Sequence, residues 1–181
     1  HRGHYAGLVH LGREAYGSQT TPLYTSPSMG RYLRSNGPWS LLFEGGHLQQ
    51  LDLEVGQPLQ LSPAISVTPL PVAHRGEFSD TLAFAIQGPR RRVLYLPDID
   101  RWDGDWLDFA GWLAEYDAVL VDGTFFDGDE LPGRDMTAIP HPPIARTLQA
   151  IEGLPRSERS KVLFFHLNHS NPVLDPASPQ S

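Results

Sequence analysis

Several apolar, β-like runs in this chain end directly at a histidine or an aspartate. The residues and the runs that precede them are His74 after residues 67–73, Asp98 and Asp100 after 93–96, Asp122 after 119–121, and His166 after 162–165. Side chains at strand ends on one edge of a sheet converge on a common site. The pattern therefore predicts a fold in which these strands share a sheet and a functional site at its edge.

Each of these residues also has an ordinary structural interpretation. A single histidine at a strand end is more often a hydrogen-bonded residue than a ligand, and Asp98 and Asp122 are suited to capping turns by accepting from backbone N–H groups. Their joint occurrence favours a metal site. The chain has no cysteine, so a transition metal would need nitrogen and oxygen ligands, and imidazole with carboxylate suits zinc or iron.

The remaining periodicity predicts strands alternating with helices. We expect helices within residues 5–16, 28–36, 106–115 and 144–151, and strands at 21–25, within 47–71, at 81–86, 92–96, 118–121 and 161–165. Segment 47–71 is hairpin-like, with a turn at residues 55–58, and 81–96 is a second hairpin. This order predicts an α/β sandwich in which residues 1–181 form a single domain.

Composition restricts the partners. The net charge is −7 and there is no block of basic residues, which argues against nucleic acid, because phosphate contacts need clustered Lys and Arg. No apolar run approaches the roughly 20 residues of a membrane-spanning helix. We therefore expect a small-molecule substrate, with neither nucleic acid nor a membrane as partner.

The motifs resemble a known superfamily. His1-Arg-Gly-His4-Tyr-Ala-Gly-Leu8 is similar to the right-hand part of the His-x-His-x-Asp-His signature of the metallo-β-lactamase superfamily. Asp122-Gly-Thr-Phe125, Pro140-His141-Pro142 and the segment 166–175 look most like the coenzyme PQQ synthesis protein B family. The resemblance implies a metallo-β-lactamase-like αββα sandwich, N-terminally incomplete in this chain because the first signature histidine would precede His1.

The resemblance also implies a ligand set. His1 and His74, with the upstream histidine, would form one metal site, and His4, Asp98 and His166 would form the second, with Asp98 as the bridge. One departure concerns Gly3, which stands where the signature has an aspartate that helps to hold the second metal.

Three further residues are candidates for catalysis. Asp100 could supply the carboxylate missing at Gly3, or it could cap the following turn. His169 is similar to a second histidine that some phosphodiesterase relatives place near the scissile group, and it could act as a general acid or hold an anionic substrate. His141 could enter the site from a loop, as in tRNA-processing relatives, or lie on the loop surface.

Three functions remain open at this point. The first is a zinc hydrolase in which metal-bound water attacks an ester, a lactam or a phosphodiester-like substrate. The second, implied by the PQQ-synthesis relatives, is an iron-dependent oxygenase that hydroxylates a tyrosine-derived intermediate. The third is a non-catalytic module that has retained the fold.

Overall fold

The computed structural model describes residues 2–181. The strands are β1 Thr21–Thr25, β2 Leu48–Asp52, β3 Leu59–Ser62, β4 Ile65–Val72, β5 Thr81–Gln87, β6 Arg92–Leu96, β7 Ala118–Asp122 and β8 Val162–Phe165. The α-helices are α1 Arg2–Tyr5, α2 Pro27–Ser35, α3 Ser40–Glu44, α4 Phe109–Glu115, α5 Ile144–Ile151 and α6 Arg156–Arg159. Short 3₁₀ turns cover Ala6–Leu11, Gly104–Leu107, Met136–Ala138 and Pro172–Leu174.

Strands β3 to β8 form one sheet in sequence order. The pairs from β3 to β6 are antiparallel, and β6–β7 and β7–β8 are parallel. Strands β1 and β2 form a separate parallel pair. This mixed α/β architecture confirms the predicted fold class.

Two local predictions are wrong. Segment 47–71 does not begin with a hairpin, because β2 pairs in parallel with β1 and only β3 and β4 form the hairpin. In the sequence, helices α2 and α3 connect β1 to β2 and return the chain to the end of the sheet at which β1 began, as a parallel connection requires. The first helix is not continuous over 5–16, since α1 is followed by the 3₁₀ turn Ala6–Leu11 and then by irregular chain.

The main core lies between the six-stranded sheet and the helices α4 and α5. Leu94, Leu96 and Val121 of the sheet are at most 1% exposed and share one apolar cluster with Leu113 of α4 and Ile151 of α5. The inward positions of the parallel strands therefore fix β6 and β7 against the helices. No helix within residues 2–181 has the length and apolar character needed to cross a membrane.

Candidate metal centre

The strand directions bring the polar strand ends together. Strands β4 and β6 both run antiparallel to β5, and β7 and β8 run parallel to β6. The carboxyl ends of β4, β6, β7 and β8 therefore meet at one edge of the sheet. His74, Asp98, Asp122 and His166 lie at these four ends.

His4, Asp98 and His166 form one group of possible ligands. His4 Nε2 lies 2.9 Å from His166 Nε2 and 3.1 Å from Asp98 Oδ2, and His166 Nε2 lies 3.9 Å from Asp98 Oδ1. Ligand atoms bound to one tetrahedral zinc ion are about 3.4 Å apart. The three distances bracket that value, so this donor set fits a single metal ion.

His74, Asp98 and His141 form a second group that shares Asp98 with the first. His74 Nε2 lies 3.5 Å from Asp98 Oδ1, and both side chains are at most 1% exposed. The ring centroids of His74 and His141 are 5.0 Å apart. Asp98 thus stands between two pairs of histidines, as a bridging ligand would.

The outer nitrogens of His74 and His141 contact carboxylates. His74 Nδ1 lies 3.0 Å from Asp100 Oδ1, and His141 Nδ1 lies 2.7 Å from Asp122 Oδ2. The contact at His141 is a hydrogen bond. A carboxylate that accepts from Nδ1 keeps the proton there and leaves the Nε2 lone pair available for a metal.

Thr124 contacts the imidazole of a third histidine, His166. Its Oγ1 lies 3.0 Å from His166 Nδ1 and donates to Asp122 Oδ1 at 2.7 Å. Asp122 is fully buried and also accepts from the backbone N–H groups of Thr124 and Ile99. The Asp122–Thr124 segment therefore holds two of the histidines from one strand end.

Burial governs the protonation of two candidate ligands. Loss of hydration lowers the pKa of His74 below the usual histidine value, and the neighbouring Asp98 opposes this by raising it. Loss of hydration also lowers the pKa of His4, and Asp98 again opposes this by raising it. Neutral imidazole is the form that binds metals.

Two residues at the centre have left-handed backbone conformations. His166 has φ of 60° and Arg75, next to His74, has φ of 28°. Residues other than glycine adopt positive φ at a cost of about 1–3 kcal/mol, and such strain concentrates at functional sites. At His166 the conformation turns the chain at the end of β8 and leaves the imidazole beside Thr124.

The structure brings some predicted residues into the cluster and leaves others outside it. His4, His74, Asp98 and His166 come together, whereas His1 lies outside the described residues. These roles remain predictions.

The three residues proposed for catalysis have different surroundings. Asp100 contacts the outer nitrogen of His74 and belongs to neither ligand group, which favours an orienting role over that of a replacement ligand. His141 is not on the loop surface, since its side chain is 10% exposed and it belongs to the second group. His169 is exposed and belongs to neither group.

The sequence did not reveal the partners of Asp122 or the position of Thr124. Asp122 was expected to be either a site residue or a turn cap, and it accepts from the backbone of Thr124 while also contacting His141. Thr124 received no role of its own. An available signal was the Asp122-Gly-Thr124 order, because a short hydroxyl two residues after an aspartate commonly bonds back to it.

Cavities surround the cluster. One of about 450 Å³ is lined by Tyr5, Phe78, Arg75 and His141, among others, and Phe78 is 61% exposed while stacked on Tyr32 with ring centroids 5.1 Å apart. A small molecule could pass these aromatic rings to reach the two groups of possible metal ligands.

The comparison with protein families decides the membership. A family model described as "Beta-lactamase superfamily domain" matches residues 1–167. The chain belongs to this superfamily. Its two sheets and strand-end site agree with the metallo-β-lactamase fold predicted from the motifs.

Within the superfamily, the chain resembles coenzyme PQQ synthesis protein B. The protein of that name from Pseudomonas fluorescens (strain Pf0-1) is 29% identical over 151 residues, which cover 72% of this chain and 48% of the relative. That from Methylobacterium radiotolerans is 28% identical over 98% of this chain and 62% of the relative. The chain thus spans about half the length of the first of these relatives.

Solved structures show the same fold. Zn²⁺-bound PqqB from Methylobacterium extorquens has a TM-score of 0.71 at 22% identity, covering 97% of this chain and 59% of that one. Unliganded yeast PDE1 has a TM-score of 0.60 at 13% identity, covering 93% and 55%. A diphosphatase from the PhnP family has a TM-score of 0.55 at 17% identity, covering 91% and 56%.

Proposed function

We propose that this member of the β-lactamase superfamily is a metal-dependent hydrolase of a small-molecule ester, lactam or phosphodiester-like substrate. The observation that carries the proposal is the position of Asp98, which is shared by two groups that each contain two histidines. Membership in the superfamily supports it. Zinc is the metal we expect, since its preferred nitrogen and oxygen ligands are those that the site offers.

The residues divide into those that would hold metal and those that would orient them. His4, Asp98 and His166 would hold one ion, and His74 and His141 with Asp98 would hold a second. A bound zinc ion supplies Lewis acidity and lowers the pKa of bound water toward about 7.

The protein's own contribution is to exclude water and fix donors. Asp98 and His74 are buried, so the charge that develops during hydrolysis would be poorly screened by solvent and strongly influenced by the fixed groups. Tyr5 and Phe78 would contact an apolar part of the substrate at the entrance.

One observation favours a second function. Each group taken alone has two histidines and one carboxylate, the set used by non-haem iron oxygenases. Gly3 stands where the superfamily signature has an aspartate, which is consistent with occupancy of one site rather than two. An iron-dependent oxygenase is therefore the alternative.

Elemental analysis of the protein, purified without chelators or an affinity metal, tests both. We expect one or two equivalents of zinc, lost in an Asp98→Ala variant and retained in an Asp117→Ala variant, in which an exposed carboxylate outside the site is removed. One equivalent of iron would instead favour the oxygenase. No metal bound by either the wild type or the Asp117 control would refute both functions.

Hydrolysis is then measured on the zinc-loaded protein. A panel of 4-nitrophenyl esters, bis(4-nitrophenyl) phosphate and nitrocefin covers the three bond types. Turnover that disappears in Asp98→Ala and persists in Asp117→Ala supports the hydrolase, whereas zinc binding without turnover of any of these bonds would contradict it.

A further inference from the structure

A positively charged cavity adjoins the candidate metal centre. Its volume is about 520 Å³, and Arg75, Arg134, Asn168 and His169 line it together with His141 of the second ligand group. No aspartate or glutamate is among the lining residues, so far as residues 2–181 are concerned. Because His141 lines the cavity, a group bound there would be separated from the predicted metal site only by this side chain.

The two guanidinium groups are available for a ligand. Across the described part of the chain, neither Arg75 nor Arg134 takes part in an ion pair or a side-chain hydrogen bond, whereas Arg91, Arg92 and Arg101 are each paired with a carboxylate. Arginine presents a planar fork of donors that matches the two oxygens of a carboxylate or phosphate. Their donors are thus free to bind an anion from the cavity.

The local charge is opposite to that of the molecule. The net charge of the chain is −7, so an anion is repelled at long range and gains attraction only where cations gather. Arg75 also keeps a left-handed backbone conformation that glycine would adopt more easily.

We propose that this cavity binds a carboxylate or phosphate group of the substrate, one that is separate from the bond to be cleaved. Arg75 and Arg134 hold the anionic group, with His169 beside them, and the reacting part of the substrate extends toward His141 and Asp98. The assignment of a substrate rests on the proposed hydrolase, but binding of the anion does not.

Binding is tested on the metal-free full chain, so that a metal cannot contribute. Inorganic phosphate and, separately, succinate are titrated into ¹⁵N-labelled protein, and Kd is read from the NMR shifts. We expect Arg75→Gln and Arg134→Gln each to raise Kd about five- to tenfold, as loss of a partly exposed charge-assisted contact does. The matched control is Arg90→Gln, an exposed arginine in the β5–β6 turn, which should change Kd less than about twofold.

The outcomes separate clearly. A larger effect with phosphate or with succinate identifies which anion the cavity accepts. Absence of binding to the wild type, or equal weakening in Arg90→Gln, overturns the proposal. Spectra that are unchanged away from the substituted residue show that each variant is folded.

A kinetic comparison distinguishes this inference from the hydrolase proposal. The zinc-loaded protein is given 4-nitrophenyl acetate and mono-4-nitrophenyl succinate, which share a leaving group and differ in the carboxylate. We expect Arg75→Gln and Arg134→Gln to lower kcat/KM for the succinate ester about five- to tenfold more than for the acetate. Hydrolysis of both esters with an unchanged ratio overturns the anion site alone. Arginine-dependent binding without any hydrolysis overturns the hydrolase alone.

Discussion

Replacement of Asp122 by asparagine separates the structural role of this buried carboxylate from its effect on the metal centre. In the wild type its two oxygens accept from Thr124 N, Thr124 Oγ1 and Ile99 N, and one lies 2.7 Å from His141 Nδ1. An asparagine oxygen can still accept from Thr124. Its NH₂ group, however, faces Ile99 N and His141 Nδ1, where the carboxylate oxygen had been an acceptor.

Two consequences follow, with different magnitudes. One buried N–H loses its acceptor, so the free energy of unfolding should fall by about 1–3 kcal/mol. His141 can accept from the new NH₂ only if its proton moves to Nε2, which removes the lone pair that faces the second ligand group. Loss of such an orienting carboxylate lowers metal affinity about 10–100-fold, equivalent to roughly 1.4–2.7 kcal/mol.

The assay measures the two effects independently. Urea denaturation of the metal-free protein gives the stability, and competition with a chromophoric chelator gives zinc affinity in the absence of denaturant. Asp117→Asn makes the same chemical change at an exposed position outside the site and should leave zinc affinity unchanged. Wild-type zinc affinity in Asp122→Asn would refute the argument that Asp122 sets the tautomer of His141, whatever the change in stability.

Three other perturbations have defined outcomes. The hydrogen bond from Arg92 N and the contact with Arg91 lower the pKa of Asp117. The carboxylate therefore stabilises the folded state above its unfolded pKa, and this stabilisation is lost as the pH falls through its folded pKa. The difference in urea midpoint between wild type and Asp117→Asn should shrink over that acidic range, and a difference that does not change with pH would exclude this linkage. Leu94→Ala, at a core position 1% exposed, should destabilise by about 2–5 kcal/mol in the same denaturation assay, and a loss below 1 kcal/mol would mean that the cavity collapses. His166→Val should be about 1 kcal/mol less stable than His166→Asn, because β-branched residues are disfavoured at the φ of 60° found there; equal midpoints would contradict strain at this residue.

Local patterns predicted most strands but not all of their partners. The apolar runs that end at Asp98, Asp122 and His166 lie in β6, β7 and β8, whose order in the sheet follows the chain. The run at Leu48–Asp52 has the alternation expected of a hairpin strand, yet its partner is β1. Periodicity identifies a strand without identifying its neighbour, and here the neighbour depends on helices α2 and α3, which connect the two paired strands.

The candidate site was predictable where it lies at strand ends. His141 is different, since 18 residues of chain, 123–140, separate it from the end of β7. The loop returns because Ile144 N donates to Phe125 O and Ala145 N to Phe126 O, at 2.9 and 3.0 Å. These long-range backbone contacts leave no pattern in the sequence, so the proximity of His141 to Asp122 emerges only from the folded chain.

The candidate metal centre combines residues at the ends of sheet strands with residues from loops. Each of His74, His141 and His166 is contacted on Nδ1 by a side chain from the ends of β6 and β7, which are fixed in the main core. The cavity around them comes from loops that include Arg75 and Arg134. Supporting contacts on a rigid sheet preserve ligand geometry while loops change what can bind. For the proposed hydrolase, we therefore expect the sheet residues to set the metal site and the loop residues to determine which substrate binds.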